Sequence, residues 1–292
     1  MSRHTLIAAS ALLALAAAAP ATAQSGNGRG TTSTSGSGKG TAPSRSTLPN
    51  SVLTTSSVAS PFAWLDDGRI LPVATVSIAV STLRWEGTGA SEVDAPVTSI
   101  AAGIAPRVQV GASIPHILGS ADPAGAVGGI GSLYFYGKVG LLGDESPVKL
   151  AVSPTIEILG EGAALGLAPA ESRAQFGLPV SVEFDAGSTR VFAGTGFFTR
   201  GIRFAGGGVS TRATSRLGIS AQLSHSWTTA DALGIVADRT EVTGSAAYSL
   251  APNVALFGSI GQTIATTDQN GAGTTISGGV SVLLSPSLFK RD

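Results

Sequence analysis

The stretch Pro147-Val-Lys-Leu-Ala-Val-Ser-Pro-Thr-Ile-Glu-Ile-Leu159 decides the fold. Val148, Leu150, Val152, Ile156 and Ile158 share one parity; Lys149, Ala151, Ser153, Thr155 and Glu157 share the other. Successive side chains of a strand point to opposite faces. One face of this stretch therefore suits an oily phase and the other suits water. On this reading Val152→Arg impairs assembly and Ser153→Arg does not.

The alternation recurs along the chain. Val108, Val110, Ala112 and Ile114 oppose Gln109 and Ser113. Leu133, Phe135, Val139 and Leu141 oppose Ser132, Tyr134, Tyr136 and Lys138. Phe176, Leu178, Val180, Val182 and Phe184 oppose Ser181, Glu183 and Asp185. Leu217, Ile219, Ala221 and Leu223 oppose Ser220, Gln222 and Ser224, and Ile276, Val280 and Val282 oppose Thr275, Ser277 and Ser281. The segments with this pattern are 72–85, 96–105, 107–115, 130–142, 147–159, 176–185, 189–199, 202–212, 216–228, 239–250, 254–264 and 274–284. Turn residues such as Ala105-Pro106, Asp185-Ala186-Gly187-Ser188 and Ala251-Pro252-Asn253 close the short connections. Longer ones, at 86–95, 116–129, 160–175, 229–238 and 265–273, alternate with them, except at Arg200-Gly201. Short turns on one side, longer loops on the other and an even strand number are the rule for outer-membrane barrels. Residues 61–292 are thus expected to form an all-β, antiparallel up-and-down transmembrane β-barrel of about twelve strands.

A soluble sandwich also alternates, but it buries its apolar face inward and carries charge outside. Here the polar parity is mainly Ser, Thr, Ala and Gly, and charged residues make up only 12% of the chain. The zero net charge provides no basic face for nucleic acid. Arg3, the apolar run from Leu6 to Ala19 and Ala21-Thr22-Ala23 read as a signal peptide over 1–23, cleaved after Ala23. Residues 24–60 are rich in Gly, Ser and Thr with few large apolar groups, and are expected to be a disordered periplasmic tail. The absence of Cys excludes disulfides and a lipid anchor through Cys.

Catalytic chemistry finds little support. Of three His, His4 lies in the signal peptide and His116 in an expected external loop. Ser224 and Ser226 flank His225 but point to the opposite face, so neither can be its nucleophile. Two separated His make no metal site, and Asp66-Asp67-Gly68 reads as a turn. Gly206-Gly207-Gly208 lacks the Lys-Ser/Thr of a phosphate loop. No catalytic, cofactor-binding or metal residues are expected, and the chain is read as a non-enzyme without cofactors. Trp85 and Trp227, at the outer strand ends, suit an interfacial girdle.

The stretches Arg107-Val-Gln-Val-Gly-Ala-Ser-Ile-Pro115, Phe197-Phe-Thr-Arg-Gly-Ile-Arg-Phe-Ala-Gly-Gly-Gly208 and Tyr248-Ser-Leu-Ala-Pro-Asn-Val-Ala-Leu-Phe-Gly258 resemble bacterial outer-membrane barrels of the transporter-like, or MetA-pathway phenol-degradation, family. A small residue, Pro and Asn or Arg before an apolar strand recurs at Ala105-Pro106-Arg107 and Ala251-Pro252-Asn253. The resemblance implies passage of small, including aromatic, molecules and defines no site residues. The chain departs from the usual terminal aromatic residue, since Phe289 is followed by Lys-Arg-Asp292.

Phase and direction together place Arg107, Lys138, Lys149, Glu183, Arg190 and Arg216 on the inward parity near the periplasmic end. Tyr134 and Tyr136 join Ser, Thr and Gly in lining the lumen. The expected function is passive passage of small, aromatic or anionic, molecules. The alternatives are a non-conducting structural barrel and an autotransporter-like translocator. The expected partners are outer-membrane lipid, the barrel assembly machinery and an unnamed solute.

Overall fold

The computed structural model describes residues 68–87, 91–121, 128–143, 146–160, 171–199, 202–228, 238–267 and 272–285. The signal peptide, the tail, Asp66, Asp67 and Phe289 lie outside the described residues. Fifteen strand segments follow in chain order: β1 (Val76–Gly87), β2 (Ser91–Ala105), β3 (Val108–Ala121), β4 (Gly129–Ile130), β5 (Leu133–Gly140), β6 (Val148–Val152), β7 (Thr155–Ile158), β8 (Ala174–Gly177), β9 (Val180–Ala186), β10 (Thr189–Phe198), β11 (Ile202–Arg212), β12 (Leu217–Thr228), β13 (Arg239–Ala251), β14 (Val254–Thr266) and β15 (Gly273–Leu284). β4 with β5, β6 with β7 and β8 with β9 each form one broken stave. The described residues thus form twelve antiparallel staves, numbered 1 to 12 in chain order. β1 pairs with β15 from Val76↔Leu284 to Gly87↔Gly273, which closes the sheet into a barrel.

The breaks in staves 5 and 6 come from Pro154 and Pro179, which lack the N–H a ladder needs. The register is unbroken across them: β5 pairs Val139 with Val152 on one side of Pro154 and Tyr136 with Thr155 on the other. Pro179 still accepts from the Ser153 N–H, and the Thr155 hydroxyl donates to the Ser153 carbonyl at 2.8 Å. That hydroxyl supplies the donor that Pro179 withholds.

The outward parity carries the large apolar residues. Val110, Ile114, Phe135, Ile156, Phe176, Val182, Ile219, Leu223, Leu256, Ile276 and Val280 are all exposed. A closed sheet with this outer surface is the arrangement an apolar phase requires, since every backbone group can be paired within the ring.

Three expectations change. The connection at 86–95 is not a long loop, because β1 runs to Gly87 and β2 begins at Ser91. Register shifts between Val93, Asp94 and Val97, beside the cis Ala95–Pro96 bond, hide the alternation of β2 in the sequence. The first strand begins at Val76 rather than at residue 72, after a lead-in with Ala74 at φ 61°. Trp85 lies on the parity of Ser81 and Leu83, which face the lumen, and so is not part of a lipid-side girdle. Trp227 does share the outward parity, with its ring centroid 5.2 Å from that of His225.

Candidate functional site

The inward parity builds the lumen, and the two sides of the lumen differ. On staves 2 to 6 it carries long polar side chains in hydrogen-bonded rows. Ser99, Ser113, Tyr134, Glu157 and Gln175 are successive register partners across five staves. Ser99 and Ser113 meet at 3.0 Å, the Tyr134 hydroxyl donates to Glu157 Oε1 at 2.7 Å, and Gln175 Nε2 donates to Glu157 Oε2 at 2.6 Å. Nearer the short turns, Gln109 Nε2 donates diagonally to the Tyr136 hydroxyl at 3.1 Å. Lys138, the register partner of Gln109, is completely buried.

Glu183 sits at the short-turn end of this wall, opposite Lys149 in register. It is fully buried and takes two guanidinium groups, Arg69 Nε at 2.5 Å and Arg190 Nη1 at 3.5 Å. Arg69 also reaches Asp185 Oδ1 through Nη2 at 2.5 Å. Glu183 is therefore a shared acceptor, which offsets the cost of removing its charge from water.

Staves 8 to 12 are different. Ser210, Ser220, Ser245, Ser259 and Ser277 form a row of register partners, one on each stave. Ser220 meets Ser245 at 3.0 Å and Ser259 meets Ser277 at 2.7 Å. All five are half-buried although they face inward. The inner surface is therefore accessible at this row, while Gln222, Ser224, Glu241 and Ser281 on the same staves are buried. Toward the long-loop end, Arg239 and Glu241 form a pair at 3.0 Å.

Aromatic rings on staves 4, 7 and 8 lie against glycines of the barrel wall. Phe192 stands opposite Gly208, Phe204 opposite Gly196, Phe198 opposite Gly177 and Tyr136 opposite Gly111. A Cβ on any of these glycines would come within 2.4–2.8 Å of its ring. Each glycine thus gives a large ring room to lie along the wall instead of standing across the lumen.

The lead-in adds an inner layer to staves 2 to 6. Val73 bridges to Gly103 and Ala74 N–H donates to the Gly103 carbonyl on stave 2. Leu71 N–H donates to Gln109 Oε1 on stave 3 at 2.9 Å. Ile70 lies against Gly140 on stave 4, Gly68 against Lys149 on stave 5, and Arg69 binds the carboxylates of stave 6. Leu71, only 3% exposed, packs with Ala101, Tyr134, Tyr136 and Leu283. Six residues of extended chain reach about 20 Å, which matches about four spacings of ~4.8 Å between staves.

Tyr134, Tyr136, Lys138, Lys149, Glu183 and Arg190 are thus on the inner face, as the sequence parity implies. Arg107 and Arg216 are not. Both are exposed in turns just before β3 and β12, and Arg107 has φ 63°. Parity counting fails there because a turn residue belongs to neither face. The six-charge ring reduces to four inward residues, with Glu183 bound to Arg190 and to a cation from the lead-in. His116 lies on β3 rather than in a loop, and His225 Nδ1 is 2.9 Å from Thr240 Oγ1 on the outward side. Ser224 and Ser226 are buried on the inner face, away from it.

Sequence reading missed Arg69, Leu71, Gln109 and Gln175 as lumen residues. Gln109 and Gln175 had the signal in their parity. Arg69 and Leu71 precede the first strand, where alternation says nothing.

No family model matches the chain, and no curated protein matches it. Among solved structures the chain is similar to the COG4313 outer membrane channel from Pseudomonas putida F1, with a TM-score of 0.54 at 12% identity over 75% of this chain and 98% of that one. It is also similar to the NanC porin, with a TM-score of 0.52 at 10% identity over 70% of this chain and 98% of that one. At these identities the likeness is one of fold: the chain shares the closed barrel of outer-membrane channels.

Proposed function

We propose that the protein is an outer-membrane channel for passive passage of small solutes, with its short turns in the periplasm and its longer loops outside. The observation that carries this is the half-buried serine row on staves 8 to 12. Eight strands enclose an interior that side chains just fill, and twelve enclose more. At the row where the inward side chain of each of these five staves is a serine, the surplus space belongs to water. Short hydroxyl side chains offer a passing solute exchangeable hydrogen bonds without a deep binding well, which suits conduction.

The charge pattern supports weak ion selectivity. Arg107 and Arg216 lie outside the lumen, and Arg69 and Arg190 share Glu183. The support for an anion-selecting ring falls accordingly, and small uncharged solutes become the favoured class. The flattened rings of Phe192, Phe198 and Phe204 are compatible with aromatic solutes, which the transporter-like, phenol-degradation resemblance also suggests.

The refolded mature chain in planar lipid bilayers should give discrete conductance steps with similar permeability to potassium and chloride. Liposomes carrying it should swell in small neutral solutes. Silence in both assays overturns the channel reading and leaves a structural barrel.

A further inference from the structure

We infer that the segment from Gly68 to Thr75 is a seated constriction whose position sets the width of the channel at the short-turn end, and that Arg69 is the residue that positions it. This rests on the channel reading. The segment runs across the strands inside the barrel, touching one stave after another from stave 2 to stave 6. It lies along the packed wall and reaches Leu283 on stave 12 through Leu71, so it narrows the lumen from that side.

Its two ends are held differently. At the β1 end the backbone is tied to stave 2 by two hydrogen bonds, Ala74 N–H to Gly103 O and Gly103 N–H to Thr75 O, and Thr75 N–H to Pro72 O closes a turn within the segment. A Cβ at Gly103 would come within 2.2 Å of the Pro72 carbonyl, so this approach depends on glycine. At the far end the segment is held by side-chain ion pairs, from Arg69 to Glu183 and Asp185. In between, Leu71 fills the pocket over Tyr134 and Tyr136. The arrangement is a hinge at Ala74, where φ is 61°, and a charged catch at Arg69.

The catch can be released without dismantling the wall. Glu183 keeps Arg190 when Arg69 is removed. Asp185 is 32% exposed and can be solvated when it loses its partner. The strands on either side remain paired, since β9 holds β6 and β10 through backbone ladders. Loss of the catch should therefore free the segment and leave the barrel closed.

The test uses the full mature chain, which has no native Cys. In a Leu71→Cys background, the rate of labelling by a membrane-impermeant maleimide reports whether the segment is seated, independently of conductance. Heat-modifiability on gels reports whether the barrel is folded. Arg69→Ala should raise the labelling rate at least fivefold and single-channel conductance at least twofold, while heat-modifiability is kept. Asp185→Asn, the milder variant, should move both in the same direction by less. Arg69→Lys should recover part of the seated behaviour, which a purely steric role for the side chain would not require. Unchanged labelling in Arg69→Ala and Asp185→Asn overturns the role of Arg69. Faster labelling with unchanged, non-zero conductance overturns the constriction. Silence of every variant in the bilayer overturns the channel reading itself, and labelling then still decides whether Arg69 holds the segment.

Discussion

On staves 2 to 6 the lumen face carries Tyr134, Glu157, Gln175, Lys138 and Glu183, none more than 2% exposed. On staves 8 to 12 the same parity carries Ser210, Ser220, Ser245, Ser259 and Ser277, all half-buried. Both walls use the same backbone, the same pleat and the same apolar outer face. They differ in the side-chain length at these rows and in the lead-in, which runs along the first and touches the second at Leu283. A closed sheet fixes the diameter of the frame, so the free cross-section is set by what projects inward. One wall has been built up until it is a core; the other keeps a low, accessible serine row between buried residues, Gln222 and Glu241 toward the long loops and Ala247 and Ala255 toward the short turns. The same residue type therefore has different weight on the two sides. A polar group on the packed wall has no water to fall back on and must keep its partner. A hydroxyl on the serine wall can exchange a lost partner for water.

The sharpest test of that asymmetry is Glu183→Ala. It removes the shared acceptor and leaves Arg69 and Arg190 without their common carboxylate in the packed wall. Breaking a buried pair by deleting one partner costs about 3–5 kcal/mol. Equilibrium unfolding in urea with lipid vesicles present should show that loss. A loss below about 1 kcal/mol would mean that this wall is as well hydrated as its opposite.

The next prediction confines the asymmetry to the lumen. Val182 on stave 6 and Val280 on stave 12 both face outward and are 38% and 40% exposed. Arg at either position should cost alike, about 2–4 kcal/mol near the middle of the bilayer. Inward, the two walls should part. Ser245→Arg should assemble, because the serine wall has room for a solvated side chain. Ser153→Arg, which sequence parity alone marks as tolerated, should fail, because Ser153 is 1% exposed on the packed wall. Yields of heat-modifiable barrel from the four variants measure this directly.

Much of the frame is legible in the sequence. Period two in 147–159 places Ala151, Ser153, Thr155 and Glu157 inward and Ile156 and Ile158 outward, and the structure agrees. Alternation is a local signal, and it fails where local geometry departs from the pleat: in β2 at the Val93–Val97 shifts, and at the turn residues Arg107 and Arg216. The difference between the walls was not legible in parity, since Ser and Glu are equally polar to that reading. It depends on which rows align around the ring and on a segment that is not a strand. One part was there to be read. Phe192 and Gly208, and Gly196 and Phe204, are placed symmetrically about Arg200, so a tight hairpin at that point makes each ring face a glycine.

That symmetry gives a prediction of intermediate size. A Cβ at Gly208 would lie 2.5 Å from the Ala221 carbonyl and 2.7 Å from the Phe192 ring, and the backbone atom cannot move aside cheaply. Gly208→Ala should therefore cost about 1–3 kcal/mol, the usual range for overpacking. Gly244→Ala, on the outward parity of stave 10 with nothing within 4 Å, should be neutral or slightly stabilising in the same assay. Equal effects would mean that the rings do not rest on their glycines.

The smallest effect should come from the serine row, and its smallness is the point. Ser259→Ala removes a hydroxyl that meets Ser277 at 2.7 Å, the shortest pair in the row. On a dry wall the orphaned Ser277 hydroxyl would cost about 1–3 kcal/mol. On a wet one water takes the vacant position, and the loss should stay within about 0.5 kcal/mol, as for a surface change. The double variant Ser259→Ala with Ser277→Ala completes the cycle. A coupling energy near zero places water at the pair, and a coupling above about 1 kcal/mol places the pair in a packed interior. The second outcome would remove the main support for a water-filled path along staves 8 to 12, whatever the stability of the barrel around it.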